Sequence, residues 1–157
     1  MTVALFAISE HETHYRLAIT AIRQNRVKTH KRPHKLVLLL AVLNLINEKK
    51  ITENKIYLNG VLEAEFERLF RLNATNDDMA QIAPPFFHLK SSKFWHHKVK
   101  PERIDEYTKL TTGGGWTSTI HKFIEYAYFD DDFFQLLLNP EIRHRFSELL
   151  IIKLENS

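Results

Sequence analysis

The residues of this chain predict a mainly α fold with a small antiparallel β-sheet or hairpin, an α+β arrangement in a single compact domain. Three observations lead there. The chain has 157 residues, 44% of them hydrophobic, which suits one domain with one core. Apolar residues recur at helical spacing through most of its length. One aromatic-rich stretch, 86–99, breaks that period with residue types that favour strands.

Taken in order, Glu10 to Asn25 reads as an amphipathic helix with Tyr15, Ala18, Ile19 and Ile22 on one stripe. After a polar break, Pro33 to Asn47 reads as a second helix, apolar on most sides; Pro33 suits a first turn because that turn needs no N–H partner. Ile51 to Leu58 reads as a short extended piece, and Asn59-Gly60 as a turn. Val61 to Leu72 is a third helix, with Leu62, Phe66, Leu69 and Phe70 inward. Pro84-Pro85 is expected to stop any regular element. Phe86 to Lys90 and Phe94 to Val99 are then expected as two strands, with Ser91-Ser92-Lys93 as their turn. Pro101 to Leu110 reads as a short helix or loop. A helix from Ser118 to Tyr128 follows, then one from Asp132 to Leu138 capped by Asp130 or Asp131, and a last helix from Pro140 to about Leu154.

The chain has no cysteine, so disulfides and thiolate metal sites are excluded. Its first ten residues lack the basic region and cleavage site of a signal peptide, and its longest apolar run, Leu36 to Leu43, is far short of a membrane span. A soluble cytoplasmic protein with no membrane partner is expected.

The net charge is only +3, but it is unevenly spread. Residues 1–52 hold nine Lys/Arg against three Asp/Glu, and residues 85–103 hold five against one. Residues 53–84 hold three against six, and 104–157 five against nine. If the two basic segments meet in the fold, they form one cationic face suited to nucleic acid; otherwise they are two ordinary solvated faces.

Catalytic and metal chemistry find little support. The nine histidines form no ligand quartet and no H-E-x-x-H. Asp130-Asp131-Asp132 is the only acidic triplet, and helix capping accounts for it. No nucleophile elbow or Walker loop is present; Gly113-Gly114-Gly115 reads as a flexible loop or as a backbone able to approach a ligand closely. No catalytic residue, metal or cofactor is expected.

What remains is an anion site. Lys28-Thr29-His30-Lys31-Arg32-Pro33-His34-Lys35 runs directly into the leucine-rich helix, placing cations beside the free N–H groups of its first turn. Farther on, Pro84-Pro85 beside Phe86, Phe87, Phe94 and Trp95 offers rigid rings that have no donor to satisfy.

Together these residues resemble a known family. Pro33-His34-Lys35 before a leucine-rich helix is similar to the Pro-His-Lys-Pro-Leu-Leu-Leu-Leu motif of the sulfur-binding domain, the phosphorothioate-DNA reader usually found in front of an HNH nuclease domain in restriction endonucleases. Pro85-Phe86-Phe87-His88-Leu89, then Phe94-Trp95, resembles that family's Tyr-Pro-Phe-Trp-x-Leu…Gly-x-Trp segment. The stretch from Ile124 through Asp130-Asp131-Asp132-Phe133 to Pro140, Arg143 and Leu149-Leu150 resembles its closing helices. Leu36 stands where the family often has proline, and Pro84 where it commonly has tyrosine. No HNH domain follows in these 157 residues.

The resemblance implies a 1–157 recognition domain for double-stranded, phosphorothioate-modified DNA in a defence system, working with a partnered or fused nuclease. It implies a sulfur and phosphate site at Arg32, Pro33, His34, Pro84, Pro85 and His88. DNA-backbone contacts would come from Lys28, Thr29, His30, Lys31 and Lys35. A base-reading loop would use Lys109, Thr111, Thr112, Gly113, Gly114 and Thr117. Two other readings stay open: a modified-base or general DNA reader, and a protein-interaction domain using the aromatic segment 86–95.

Overall fold

The structure, a computed structural model, describes residues 9–24, 31–73, 79–110 and 116–157. It is mainly helical with one two-stranded antiparallel sheet, as expected. Helix α1 (Glu10–Thr20) opens on Ser9, whose hydroxyl accepts the Glu12 N–H at 3.1 Å, and buries Tyr15 and Ile19. It ends five residues sooner than its stripe predicts, though Ile22 beyond it is still buried.

Helix α2 (His34–Asn47) is the hub. Every residue from Leu36 to Leu43 is buried, along with Leu45 and Ile46. A helix apolar all round can lie only inside other elements. Here α3 (Gly60–Asn73) packs against one side, with Leu62, Phe66, Leu69 and Phe70 inward, and the last helix lies across another. Pro33 is the residue before the helix rather than its first turn, and its carbonyl accepts the Val37 N–H at 2.9 Å. Lys49, in the left-handed region at φ 59°, turns the chain away at the far end.

The stretch from 83 to 99 departs from expectation. Pro84 and Pro85 start a helix instead of stopping one: α4 spans Ala83–His88, followed by a 3-10 turn at Leu89–Ser92. Proline is compatible with a first helical turn, where its missing N–H has no bond to lose. Phe86, Phe87 and Leu89 are all buried, a pattern that a half-exposed strand does not produce. Only β1 (Trp95–Val99) is extended, so no local hairpin forms.

Its partner lies about thirty residues downstream. After a 3-10 turn (Pro101–Arg103) and α5 (Ile104–Thr108) comes α6 (Thr117–Phe123), which passes directly into β2 (Ile124–Phe129). The helix expected to reach Tyr128 therefore stops at Phe123, and Ile124 to Ala127 belongs to a strand rather than a closing helix. β1 and β2 pair antiparallel, Trp95 opposite Phe129, and Ile56 adds an isolated bridge to Ala127. Asn54 copies a strand: its side chain both donates to and accepts from the Phe129 backbone.

Helices α7 (Asp131–Leu138) and α8 (Pro140–Glu155) close the fold. Asn139 caps α8 by accepting the Glu141 and Ile142 N–H groups. Asp130 precedes α7, but its carboxylate does not cap it; it accepts the Tyr15 hydroxyl at 2.8 Å and bonds His96. No helix among the described residues is long and apolar enough to cross a membrane.

Candidate functional site

Between the start of α2 and the prolines of α4 lies a cleft of about 450 Å³, lined by Arg23, Gln24, Arg32, His34, Lys35, Gln81, Pro84, Pro85, His88 and Ser91. The two segments singled out in the sequence, fifty residues apart, face each other across it. His34 joins them. Its Nε2–H donates to the Met79 carbonyl at 2.7 Å, and its ring rests 4.8 Å from that of Phe70. The packing of α4 against α2 completes the approach. Pro85 is buried and Pro84 half-buried, so one wall is rigid and apolar.

The opposite wall is cationic, and among the described residues none that lines the cleft is acidic. Lys35 reaches back to the end of α1, donating from Nζ to the Arg23 carbonyl at 2.9 Å. Burial pushes the Lys35 ammonium below its ordinary range, and the nearby Arg23 charge pushes it further. His88 is lowered as well, first by burial, then by Lys35 and Lys90. A partly dehydrated cluster of like charge is relieved by an anion.

Hydrogen bonds from the sheet fix α4 beneath the cleft. The Phe86 carbonyl accepts two bonds, from Trp95 Nε1–H at 2.9 Å and from His97 Nε2–H at 3.0 Å. His97 in turn accepts the Tyr107 hydroxyl at Nδ1, 2.8 Å away. Burial lowers the imidazole to about 4, so it stays neutral and keeps one tautomer.

Of the residues expected at the site, Arg32, His34, Lys35, Pro84, Pro85 and His88 line the cleft. Pro33 does not; it is buried beneath the start of α2. Lys31 is exposed and outside the lining. Lys109 is exposed just past α5, and Thr117 begins α6 beside a neighbouring cleft that shares Gln81 and is edged by Trp116, Glu63 and Glu67. Neither Lys109 nor Thr117 lines the main cleft. Lys28, Thr29, His30, Thr111, Thr112, Gly113 and Gly114 lie outside the described residues. Arg23, Gln24, Gln81 and Ser91 were not foreseen. Arg23 had only the basic excess of residues 1–52 to mark it, and the polar three had no signal at all.

No protein-family model and no curated protein matches the chain. Solved structures do. The sulfur binding domain of ScoMcrA complexed with phosphorothioated DNA superposes with a TM-score of 0.67, at 18% identity, covering 96% of this chain and 89% of that one. The chain has the fold of the sulfur-binding domain. A second structure, the sulfur binding and SRA domains of ScoMcrA complexed with phosphorothioated DNA, superposes with a TM-score of 0.62 at 17% identity. It is covered to 41% by this chain, against 90% of this chain's own length, so the likeness spans one part of that longer protein. The sulfur-binding-domain fold therefore runs through nearly all of the present sequence.

Proposed function

We propose that this chain binds double-stranded DNA carrying a backbone phosphorothioate, as the recognition module of a restriction or defence system. One observation carries the reading: rigid proline rings and a group of cations share a single cleft. A phosphorothioate keeps the negative charge of phosphate but replaces one oxygen with a larger, softer, weakly hydrated sulfur. Burying that sulfur against apolar rings costs less than burying an oxyanion. Pro84 and Pro85 would form the sulfur wall. Arg32, Lys35 and Arg23 would meet the charge, with His34, His88 and the uncapped first turn of α2 beside them.

In this reading the protein marks the DNA and a separate or fused nuclease cuts it. Lys109, Thr117 and their neighbours would meet bases, and Lys31 the backbone. The neighbours' complexes with phosphorothioated DNA support this assignment. The alternative of an aromatic partner surface lacks the surface: Phe86, Phe87, Phe94 and Trp95 are each at most 2% exposed.

The test compares one duplex with and without a single sulfur. The sulfur duplex should bind more tightly, by about 1–2 kcal/mol for a small apolar pocket. Pro85→Ala should erase most of that preference while leaving affinity for the unmodified duplex nearly unchanged. Equal affinity of the wild-type protein for both duplexes refutes the sulfur reading.

A further inference from the structure

Lys90 is a further cation of this region, outside the cleft lining. His88 and Ser91, on either side of it in the turn after α4, both line the cleft, and the Ser91 hydroxyl closes that turn on the His88 carbonyl at 3.0 Å. The Lys90 side chain points elsewhere, laying its ammonium 4.1 Å from the centre of the Phe87 ring and 5.1 Å from that of Tyr107. Both rings are held in place. Phe87 is buried in the core, and Tyr107 is anchored through its hydroxyl to His97. Among the described residues Lys90 makes no ion pair, and its ammonium makes no hydrogen bond.

The arrangement positions a charge without neutralising it. A carboxylate partner would hold the ammonium equally well but cancel its field. Aromatic faces hold it through their quadrupoles and leave the net charge intact. They also remove part of its water, and that desolvation lowers its pKa. The field reaches the cleft, since His88 is lowered in part by Lys90. Tyr107, one wall of this seat, stands two residues before Lys109, on the short helix that leads toward the expected base-reading segment.

We propose that Lys90 is a second phosphate contact, outside the sulfur cleft, gripping a neighbouring phosphate of the bound strand between the cleft and the Lys109 segment. The proposal rests on the DNA reading above, but not on the sulfur preference. Its two aromatic supports set the position of the ammonium before DNA arrives, so little ordering of the lysine is needed on binding. An ordinary phosphate and a phosphorothioate flanking the cleft are equivalent to it.

The experiment measures affinity against salt concentration for wild type, Lys90→Met and Lys90→Arg, each on the sulfur and the unmodified duplex. Methionine keeps the stem over the rings and removes the charge; arginine keeps both. Lys90→Met should lower the slope of log affinity against log salt by about 0.9, the value of one phosphate contact. It should weaken both duplexes by the same factor, so that the sulfur preference survives, and Lys90→Arg should retain the wild-type slope. Melting temperatures of all three proteins are measured alongside, with Lys90→Gln replacing the methionine variant if that fails to fold. An unchanged slope, or a loss confined to the sulfur duplex, overturns the proposal while leaving the DNA reading intact. A wild-type protein that binds neither duplex overturns the DNA reading and this contact with it.

Discussion

Two partly buried charged regions of this protein solve the same problem in opposite ways. Where α1 meets α8, Glu12 is 1% exposed, yet Arg145 meets it with two parallel bonds of 2.8 and 2.7 Å. Those bonds hold the Glu12 carboxyl below the usual range despite its burial. At the cleft, Lys35 is also partly dehydrated, but its charged neighbour is Arg23, and its ammonium rests on a carbonyl instead of a carboxylate. The first region is complete in the free protein. At the second, the Lys35 ammonium is held by a neutral carbonyl beside another cation, a setting that an incoming anion improves.

That contrast can be broken most forcefully at the complete pair. Arg145→Met should leave the Glu12 carboxylate buried and unpaired, lowering folding stability by about 4 kcal/mol in urea titrations. A loss under about 1 kcal/mol would mean that the pair is merely a surface contact.

The counterpart at the cleft is Lys35→Met. Removing a cation held by a neutral carbonyl beside another cation should leave the urea midpoint unchanged or raise it. The cost should fall on DNA affinity, by about 2 kcal/mol on both sulfur and unmodified duplexes, the range of a charge-assisted contact. Destabilisation with intact DNA binding would reverse the assignment of the two regions.

His97 offers a third solution, burial in the neutral form, and pH tests it. Its folded value of about 4 lies below the ordinary 6.5. Between those values the unfolded chain holds a proton that the folded chain refuses, so stability rises with pH across that window. The contribution is fully present above pH 6.5 and declines progressively toward pH 4. From pH 7 to pH 5 it should shrink by about 2 kcal/mol. Chemical denaturation at the two pH values should show that loss, and a His97→Gln variant should show a smaller one.

Legibility in the sequence followed the range of the interactions involved. Helices α2, α3, α7 and α8 are readable because their period, or a first-turn residue such as Pro140, is written within a few residues. The 83–99 stretch is not legible because Pro84 and Pro85 are breakers inside a helix but starters at its first turn, and the local sequence does not say which. β1 is legible as a strand, but its partner is not. Its hydrogen bonds go to Ile124–Phe129, and that pairing follows from how the helices around it pack. At the candidate site, charge and proline content mark Arg32, His34, Lys35, Pro84 and Pro85, and the family resemblance adds His88. Gln24, Gln81 and Ser91 carry no such mark, since they reach the cleft only through where α1 ends, how 79–82 runs, and how the turn after α4 closes.

The sequence by itself determined that this chain is mainly helical, that an apolar helix lies at its centre, and that cations cluster before that helix while prolines cluster fifty residues later. Each of these is a local property, set by side-chain type and spacing. Only the tertiary structure decided that the two clusters face one another across one cleft and that Lys90 is seated on rings. Those outcomes depend on long-range packing. The His34 bond to Met79 and the hold of Trp95 and His97 on the Phe86 carbonyl bring distant segments into register, and a one-dimensional pattern does not encode which distant groups will be neighbours.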